Sequence, residues 1–232
     1  MIRLQSLTIS YGENKIRLKS LLFRIAKCPF TGAFVGNAFR FLPWAIPVKK
    51  VFFSRETLAF QHPQPCYKNH LILSPRKAIR NLPGMASNDS CFEAIFQAAQ
   101  HLSATLPPYH DSFTLVANGG KKQEVQQVHF HMVTNHEMVN VCNIQEPVSN
   151  GFYRDENISI LPHPSPNWEI HFVLQPSTEH PQDYFKSVLQ SINQLNAEYD
   201  IVSRGYSLVY QQTPNIADVL PVFHIVSGKK LN

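Results

Sequence analysis

The feature that most constrains the fold of this chain is an internal repeat. Residues 57–75 align without gaps with residues 158–176 at a constant offset of 101. Six aligned pairs are identical: His62 and His163, Pro63 and Pro164, Pro65 and Pro166, His70 and His171, Leu73 and Leu174, Pro75 and Pro176. Because self-similarity at a fixed offset is typical of repeated structural units, we expect two related halves in tandem.

A second block of the repeat predicts one helix in each half. Residues 91–102 align with residues 184–195 at an offset of 93, which also relates residues 128–133 to residues 221–226. In both helical segments apolar residues recur at the spacing of a helix packed on a sheet. These residues are Phe92, Ile95, Phe96, Ala99 and Leu102 in the first, and Phe185, Val188, Leu189, Ile192 and Leu195 in the second. Strand-like segments flank each helix, so the predicted fold class is α+β, an antiparallel sheet with a packed helix, duplicated in tandem.

The repeat also divides the chain of 232 residues into segments. Residues 1–34 lie outside it as a basic N-terminal extension, and residues 35–142 form the first half. Residues 143–157 are a polar junction, and residues 158–232 form the second half.

The net charge of +5 is concentrated at the N-terminus. Residues 1–55 carry ten Lys or Arg and a single acid, Glu13. Such a segment would meet phosphate, an anionic membrane surface or an anionic partner. A solvated helix face or an organelle import leader explains the same charge equally well.

The rest of the composition favours a soluble protein of a reducing compartment. The sequence has neither a membrane-spanning run of about 18 apolar residues nor a secretory leader, so we expect a cytoplasmic protein. The four cysteines are Cys28, Cys66, Cys91 and Cys142. They are too few and too widely separated for a disulfide scaffold or a zinc site.

Residues 126–133 have the alternating pattern of a half-buried strand. The side chains on one predicted face are Gln127, His129, His131 and Val133. Residues 118–125, directly upstream, contain two glycines, which allow backbone N–H groups to approach a phosphate closely.

Two histidines side by side on a strand fit three kinds of site: catalytic, metal-binding or structural. A metal needs a third ligand beside His129 and His131, and local spacing provides none. The histidines that would have to approach in the tertiary structure are His70, His110 and His136.

The strand and the loop before it resemble the signature of the histidine-triad (HIT) nucleotide hydrolases and transferases. That signature, His-φ-His-φ-His-φ-φ after a phosphate loop with Gly and Gln, stands here as residues 127–133. The loop residues that match are Asn118, Gly119, Gly120 and Gln123. Residues 45–62 and 70–82 resemble the first strands and the proline-bearing loop of the family. The resemblance covers residues 35–135 directly, and the second half through the repeat.

The resemblance implies covalent catalysis in which His129 attacks an α-phosphate and forms a nucleotidyl-histidine. Neutral imidazole is a competent nucleophile near pH 7. His131 would hold phosphate oxygens, and Gln127 completes the implied catalytic set. The implied substrate contacts are Asn118, Gly120, Gln123 and Glu124 at the phosphates, His62 at the ribose, and Phe60, Val35 and Ile46 around the base. The resemblance implies no cofactor and no metal.

Four positions depart from the family pattern. Gln127 replaces the first histidine, and its amide can still hydrogen-bond. Glu124 stands where a small hydroxyl is usual, and a carboxylate there is expected to repel the substrate. His62 replaces the carboxylate that grips the ribose hydroxyls, and Ala78 replaces a histidine.

The second half lacks the implied nucleophile. Through the repeat, Val222 occupies the position of His129, Leu220 that of Gln127 and Gln211 that of Asn118. A valine cannot attack a phosphate, so we expect a catalytically dead copy in which His224 survives. It would supply within one chain the interface of a HIT dimer, giving a monomeric pseudo-dimer with one active site. Galactose-1-phosphate uridylyltransferases and diadenosine tetraphosphate phosphorylases are the duplicated relatives that this arrangement resembles.

Three functional hypotheses follow from the sequence. The first is a nucleotide phosphohydrolase or nucleotidyltransferase acting on dinucleoside polyphosphates or nucleoside phosphoramidates. His131 stands at the third motif position, where the duplicated transferases named above usually carry glutamine, and a histidine there favours hydrolysis. The second is an inactive nucleotide- or partner-binding protein, and the third is a metal-dependent or nucleic-acid-processing activity that uses the basic N-terminal segment.

Overall fold

The computed structural model describes residues 48–110, 112–134, 152–178, 180–212 and 221–231. These residues form one ten-stranded sheet in which all neighbouring strands are antiparallel, with two long helices packed on the sheet. The predicted α+β class with a large antiparallel sheet is confirmed. Val35, Ile46, the extension 1–34, His136 and Leu220 lie outside the described residues.

Each half contributes five strands and one long helix. The first half contains β1 (Lys50–Phe53), β2 (Thr57–Gln61), β3 (His70–Pro75), α1 (Leu82–Met85), α2 (Asp89–Thr105), β4 (Phe113–Gly119) and β5 (Phe130–Thr134). The second half contains β6 (Tyr153–Arg154), β7 (Ile158–Pro162), β8 (Trp168–Pro176), α3 (Pro181–Tyr199), α4 (Ile201–Arg204), β9 (Tyr206–Gln212) and β10 (Phe223–Lys230). Short 3-10 helices lie at Ala86–Asn88, Pro107–Tyr109 and Gly120–Lys122.

The strand order reads the same from both edges of the sheet. The order is β1-β2-β3-β5-β4-β9-β10-β8-β7-β6, so the halves join where β4 pairs with β9. At this junction Val116 pairs with Val209, its own repeat partner at the offset of 93. A pseudo-two-fold axis therefore passes between these two valines. A gene duplication would explain this symmetry and stays a prediction.

A single hydrophobic core joins the two halves on the helical face of the sheet. The predicted apolar faces of α2 and α3 are buried in one continuous cluster, apart from the half-buried Phe96. The ring of Phe92 lies 4.8 Å from that of Phe185 and 5.4 Å from that of Phe130, centroid to centroid. Burying such a side chain contributes roughly 1.5–3 kcal/mol, so each half depends on the other for part of its core.

Two further predictions concern the segments between elements. The junction predicted at 143–157 contains β6, which pairs with β7 at the edge of the sheet. Tyr153–Arg154 therefore belongs to the second half. The polar composition of residues 143–157 gave no indication of this strand. Within the described part of the chain, no helix combines the length and apolarity that crossing a membrane requires.

Candidate active site

The face of the sheet opposite the helices carries the predicted site. The pairing register places Phe60 beside Ile72, and Ile72 beside His131, across strands β2, β3 and β5. On the other side of β5, His131 pairs with Val116 of β4. Paired residues in a sheet point to the same face, whereas Phe130 and Met132 point to the core. The sequence therefore predicted correctly which face carries His131.

Strand β5 begins later than the sequence predicts, at Phe130 instead of residue 126. The preceding residues bond to the loop after β3 and to a side chain of β3, and not to the backbone of a neighbouring strand. Val128 N donates to Ile79 O at 2.8 Å, and Ser74 Oγ donates to Val128 O at 3.0 Å. Because these backbone groups are already bound, they cannot continue the sheet ladder of β5.

Gln127 is buried and anchors this loop. Its Nε2 donates to Pro75 O at 3.1 Å and to Lys77 O at 3.0 Å, while its Oε1 accepts from Ile79 N at 3.2 Å. Both amide hydrogens are thus engaged by backbone carbonyls. The predicted catalytic role of Gln127 needs correction, because its side chain supports the segment before His129 instead of facing a substrate.

His129 is half-buried, and its ring orientation is fixed by its own chain. Nδ1 lies 2.8 Å from Gln127 O. Because a carbonyl oxygen can only accept, Nδ1 carries the hydrogen and Nε2 keeps the lone pair. Burial lowers the pKa of His129, opposed by the bond to Gln127 and by the charge of Glu124. The imidazole is therefore neutral at neutral pH, with its lone pair on Nε2.

Asn118 lies on β4 two residues beyond Val116, which pairs with His131 of β5. Because side chains alternate along a strand, Asn118 points to the same face of the sheet as His131. Its Oδ1 accepts from Ser207 Oγ of the second half at 2.8 Å. With Oδ1 engaged in this way, Nδ2 is the end of the amide that can donate to another group. The role of Asn118 at a phosphate stays a prediction.

The glycines of the predicted phosphate loop are required by contacts with the second half. A Cβ atom on Gly119 would lie 2.1 Å from Tyr206 Cζ, and one on Gly120 would lie 2.0 Å from Val202 O. Gly120 also has a φ of +58°, which favours glycine. The predicted approach to a phosphate is thus not the reason that the structure shows for these glycines, since a tight contact between the halves demands both.

Gln123 holds the end of the same loop. Its Nε2 donates to Arg80 O at 2.5 Å and to Val125 O at 2.8 Å. Both hydrogens of the amide are used, so the predicted donation from Gln123 to a phosphate is not what the structure shows.

The two unusual residues, Glu124 and His62, occupy different surroundings. Glu124 is exposed, and its charge stabilises the protonated form of His129. His62 is half-buried, and its Nδ1 accepts from Gln64 N at 3.1 Å. The ring of His62 stacks on that of His70 with centroids 4.1 Å apart and planes 14° apart.

Three imidazoles meet beside His129, and we call His62, His70 and His131 the first cluster. His70 Nε2 lies 2.8 Å from His131 Nδ1, so one ring donates to the other. Burial, with neighbouring histidines, lowers the pKa of His70 to about 4 and that of His131 to about 3. One ligand atom from each ring lies within 4.8 Å of the others. The tertiary structure thus brings His62 and His70 to His131, which the spacing along the chain could not show.

The second half contains a matching group, and we call His163, His171 and His224 the second cluster. His163 and His171 stack with centroids 4.1 Å apart, and His171 Nε2 lies 3.3 Å from His224 Nδ1. All three are buried. Val222 is half-buried at the position of His129. The second half therefore keeps the cluster and lacks the nucleophile.

Two predicted residues remain, Phe60 and His110. Phe60 is buried with Leu58 and Ile72 on the same face as His131, as expected for a base-lining residue. His110 is exposed after the 3-10 helix that follows α2, and it is not among the histidines that meet at His131. Sequence reasoning missed the role of Ser207, because its contact with Asn118 joins positions 89 residues apart. His70 had one signal, its identity with His171 in the repeat.

Comparison with known proteins shows relationships at the level of family and fold. Residues 45–138 match the family model of the HIT domain. A HIT family hydrolase from Legionella pneumophila is 28% identical, over 41% of this chain and 88% of its own, with a TM-score of 0.38.

Two larger structures resemble both halves. A DUF4931 family protein from Bacillus cereus covers 79% of this chain and 87% of its own length, with 11% identity and a TM-score of 0.57. An ADP-glucose phosphorylase from Arabidopsis thaliana, solved with bound ADP-glucose, covers 84% and 82%, with 10% identity and a TM-score of 0.54. At such coverage neither similarity is confined to one half, so the fold that they share includes both.

Proposed function

The chain carries a HIT domain over residues 45–138, and from that premise we propose that it is a nucleotide phosphohydrolase or nucleotidyltransferase with His129 as its nucleophile. The coarse class, a protein that handles nucleotides by hydrolysis or transfer, agrees with the family match. The finer proposal is attack on the α-phosphate of a dinucleoside polyphosphate or a nucleoside phosphoramidate.

The observation that carries the proposal is the tautomer of His129. Its Nδ1 hydrogen is held by Gln127 O at 2.8 Å, and burial keeps the ring neutral. A histidine in this state has one lone pair, on Nε2, at a position that the protein has fixed. Fixing the reactive atom removes orientational freedom before the substrate binds, which is a main source of enzymatic rate enhancement.

The reaction proceeds in two steps. In the first, His129 Nε2 forms a bond to the α-phosphorus, and the bond to the leaving phosphate or amine breaks with its electron pair moving to the leaving group. The leaving group is protonated from water. In the second step, water or another phosphate attacks the same phosphorus, and the bond to Nε2 breaks with its electron pair returning to the ring. An attacking water releases its proton to the solvent, which balances the proton taken up by the leaving group. Water yields a nucleoside monophosphate, and a phosphate acceptor yields a transferred nucleotide.

The neighbouring side chains fit the other tasks of this chemistry. Asn118 Nδ2 would donate to an α-phosphate oxygen, and His131 would contact a further oxygen from the same face. Leu58, Phe60 and Ile72 form a small apolar cluster there, which suits a nucleobase. His62 stands in place of a ribose-binding carboxylate, so selectivity for ribose hydroxyls is expected to be weak.

The test is to trap the intermediate. The full chain is incubated with labelled adenine and guanine dinucleoside polyphosphates and phosphoramidates, quenched, and mapped for an acid-labile nucleotidyl adduct. An adduct on His129 that disappears in His129→Ala supports the proposal. In His131→Ala the adduct should form more slowly, since the nucleophile remains.

The second candidate is a protein that binds a nucleotide or a partner without turnover. It is favoured by one observation, that Gln123 and the two loop glycines are engaged in internal contacts. In that case nucleotide would bind with the same affinity in wild type and in His129→Ala, and no product would form. That outcome contradicts the enzyme.

A further inference from the structure

The first cluster contains two histidines for which the proposed reaction has no chemical task. His62 and His70 form no bond to a phosphate in that mechanism, yet they converge on His131 with one ligand atom each within 4.8 Å. The cluster also recurs in the second half, where the nucleophile is absent. Its arrangement is therefore independent of the nucleophilic step.

We propose that His62, His70 and His131 bind a divalent cation of the zinc class beside the nucleophile. Imidazole nitrogen suits Zn²⁺ and its neighbours Co²⁺, Ni²⁺ and Cu²⁺, whereas Mg²⁺ and Ca²⁺ prefer oxygen. Three protein ligands with a fourth position open is a common arrangement of exchangeable zinc. The expectation from sequence that no metal is bound is revised by this geometry.

To close around a cation the rings must rearrange, and His62 in particular must turn out of its nearly parallel stack with His70, because a cation lies in the plane of each ring that binds it. Zinc–nitrogen bonds of about 2.0–2.1 Å in a tetrahedron place ligand nitrogens about 3.3 Å apart. His70 Nε2 and His131 Nδ1, now 2.8 Å apart, would separate by about 0.5 Å as the cation replaces their shared hydrogen. His62 lies at the start of the loop from β2 to β3, so it can approach without disturbing the sheet.

The site is open to solution on one side and supported on the other. His62 and His131 are half-buried, and His70 is 7% exposed, so the cation would enter past His62. The ring of Tyr67 packs edge-on against His70 at 5.5 Å. On coordination the hydrogen of a neutral ring moves to the nitrogen that the cation does not use. If the cation binds Nε2 of His62, the hydrogen moves to Nδ1, which then no longer accepts from Gln64 N.

The matched comparison is the second cluster. It has the same stacked pair and the same strand histidine, but all three of its members are buried, with His163 at 9% and His224 at 3% exposed. A cation in solution therefore has access to the first cluster and not to the second. His163→Asn is thus the control for His62→Asn, at the equivalent position of the repeat.

One consequence for activity follows, and it rests on the proposed function. A cation on His131 occupies the group that would contact the phosphate, so Zn²⁺ is expected to inhibit formation of the nucleotidyl-histidine. A chelator should restore it. Binding itself does not depend on that chemistry.

The experiment titrates the chelator-stripped full chain with Co²⁺ and follows the visible absorption of the bound ion, then repeats the titration with Zn²⁺ by calorimetry. We expect one ion per chain, loss of binding in His62→Asn and unchanged binding in His163→Asn. The asparagine can still accept from Gln64 N, so the turn is retained, and circular dichroism checks the fold.

Absence of binding by the wild type, or equal binding by His62→Asn, overturns the proposal, as does loss only in His163→Asn. If the wild type binds the ion but forms no adduct on His129, the proposed function is refuted and the metal site is not.

Discussion

A single backbone carbonyl determines which nitrogen of His129 can react. Gln127 O takes the Nδ1 hydrogen, and the side chain of the same residue binds Pro75, Lys77 and Ile79. The position of the proposed nucleophile is thus set by a buried residue whose side chain binds only the neighbouring backbone. This explains in physical terms how a glutamine can replace the first histidine of the motif, because the task needs two donors and one acceptor, all of which an amide offers.

The lowered pKa of His129 predicts an activity that persists in mild acid. A base with a lowered pKa keeps its lone pair below the ordinary value of about 6.5. The rate of adduct formation at pH 5.5 should therefore be a larger fraction of its rate at pH 7 than the roughly one tenth that an ordinary imidazole would retain. Single-turnover rates with a dinucleoside polyphosphate and a chelator measure this. A midpoint at or above pH 6.5 would show that burial does not control this group.

Ser207 is predicted to be a positioning residue that acts through Asn118. Removing its hydroxyl in Ser207→Ala frees the amide to rotate, and a hydrogen bond of about 1 kcal/mol corresponds to about a fivefold slower adduct formation. Ser207→Thr keeps the hydroxyl and should restore most of the rate. In an Asn118→Ala background, Ser207→Ala should have no further effect. An equal loss in both backgrounds would assign Ser207 a merely structural role.

At the scale of elements, the loop between β4 and β5 is held by the second half. Gly119 packs on Tyr206 and Gly120 on the backbone of Val202, while Gly205 packs on Lys122. A short 3-10 turn with few internal bonds could not hold this conformation alone. The degenerate half therefore has a structural reason to persist beside a site whose nucleophile it lacks.

Gly120→Ala is expected to lower the free energy of unfolding by at least about 2 kcal/mol. The methyl group would meet Val202 O, and the positive φ adds strain. Urea denaturation measures the loss. Lys121→Ala, an exposed neighbour in the same turn, should change it by less than about 0.5 kcal/mol. Similar losses for both variants would show that the contact with Val202 is unimportant.

The sequence predicted those features of this region that depend on local pattern or on the repeat. The face of His131, the helices α2 and α3 and the missing nucleophile at Val222 follow from periodicity and alignment. The contacts of Gln123, Gln127 and Ser207 do not, because each depends on a partner whose approach is fixed only by the tertiary fold. The same holds for His62 and His70, which are adjacent to His131 only in the assembled sheet.

At the scale of the whole molecule, the two halves share one sheet and one core. β4 pairs with β9 over seven residue pairs, and the aromatic rings of α2 and α3 interleave above this junction. The contact between the halves is thus buried within one chain. We therefore expect the described strands to unfold as one cooperative unit and not half by half.

Phe92→Ala tests this cooperativity. Phe92 is buried between Phe185 of α3 and Phe130 of β5, and its truncation should cost about 3–5 kcal/mol. If the halves form one unit, native-state hydrogen exchange should show the same loss of protection in β3 and in β8, although Phe92 belongs to the first half. Val202→Ala, at a 39% exposed side chain, should change neither strand. Loss of protection confined to β3 would mean that the halves unfold separately.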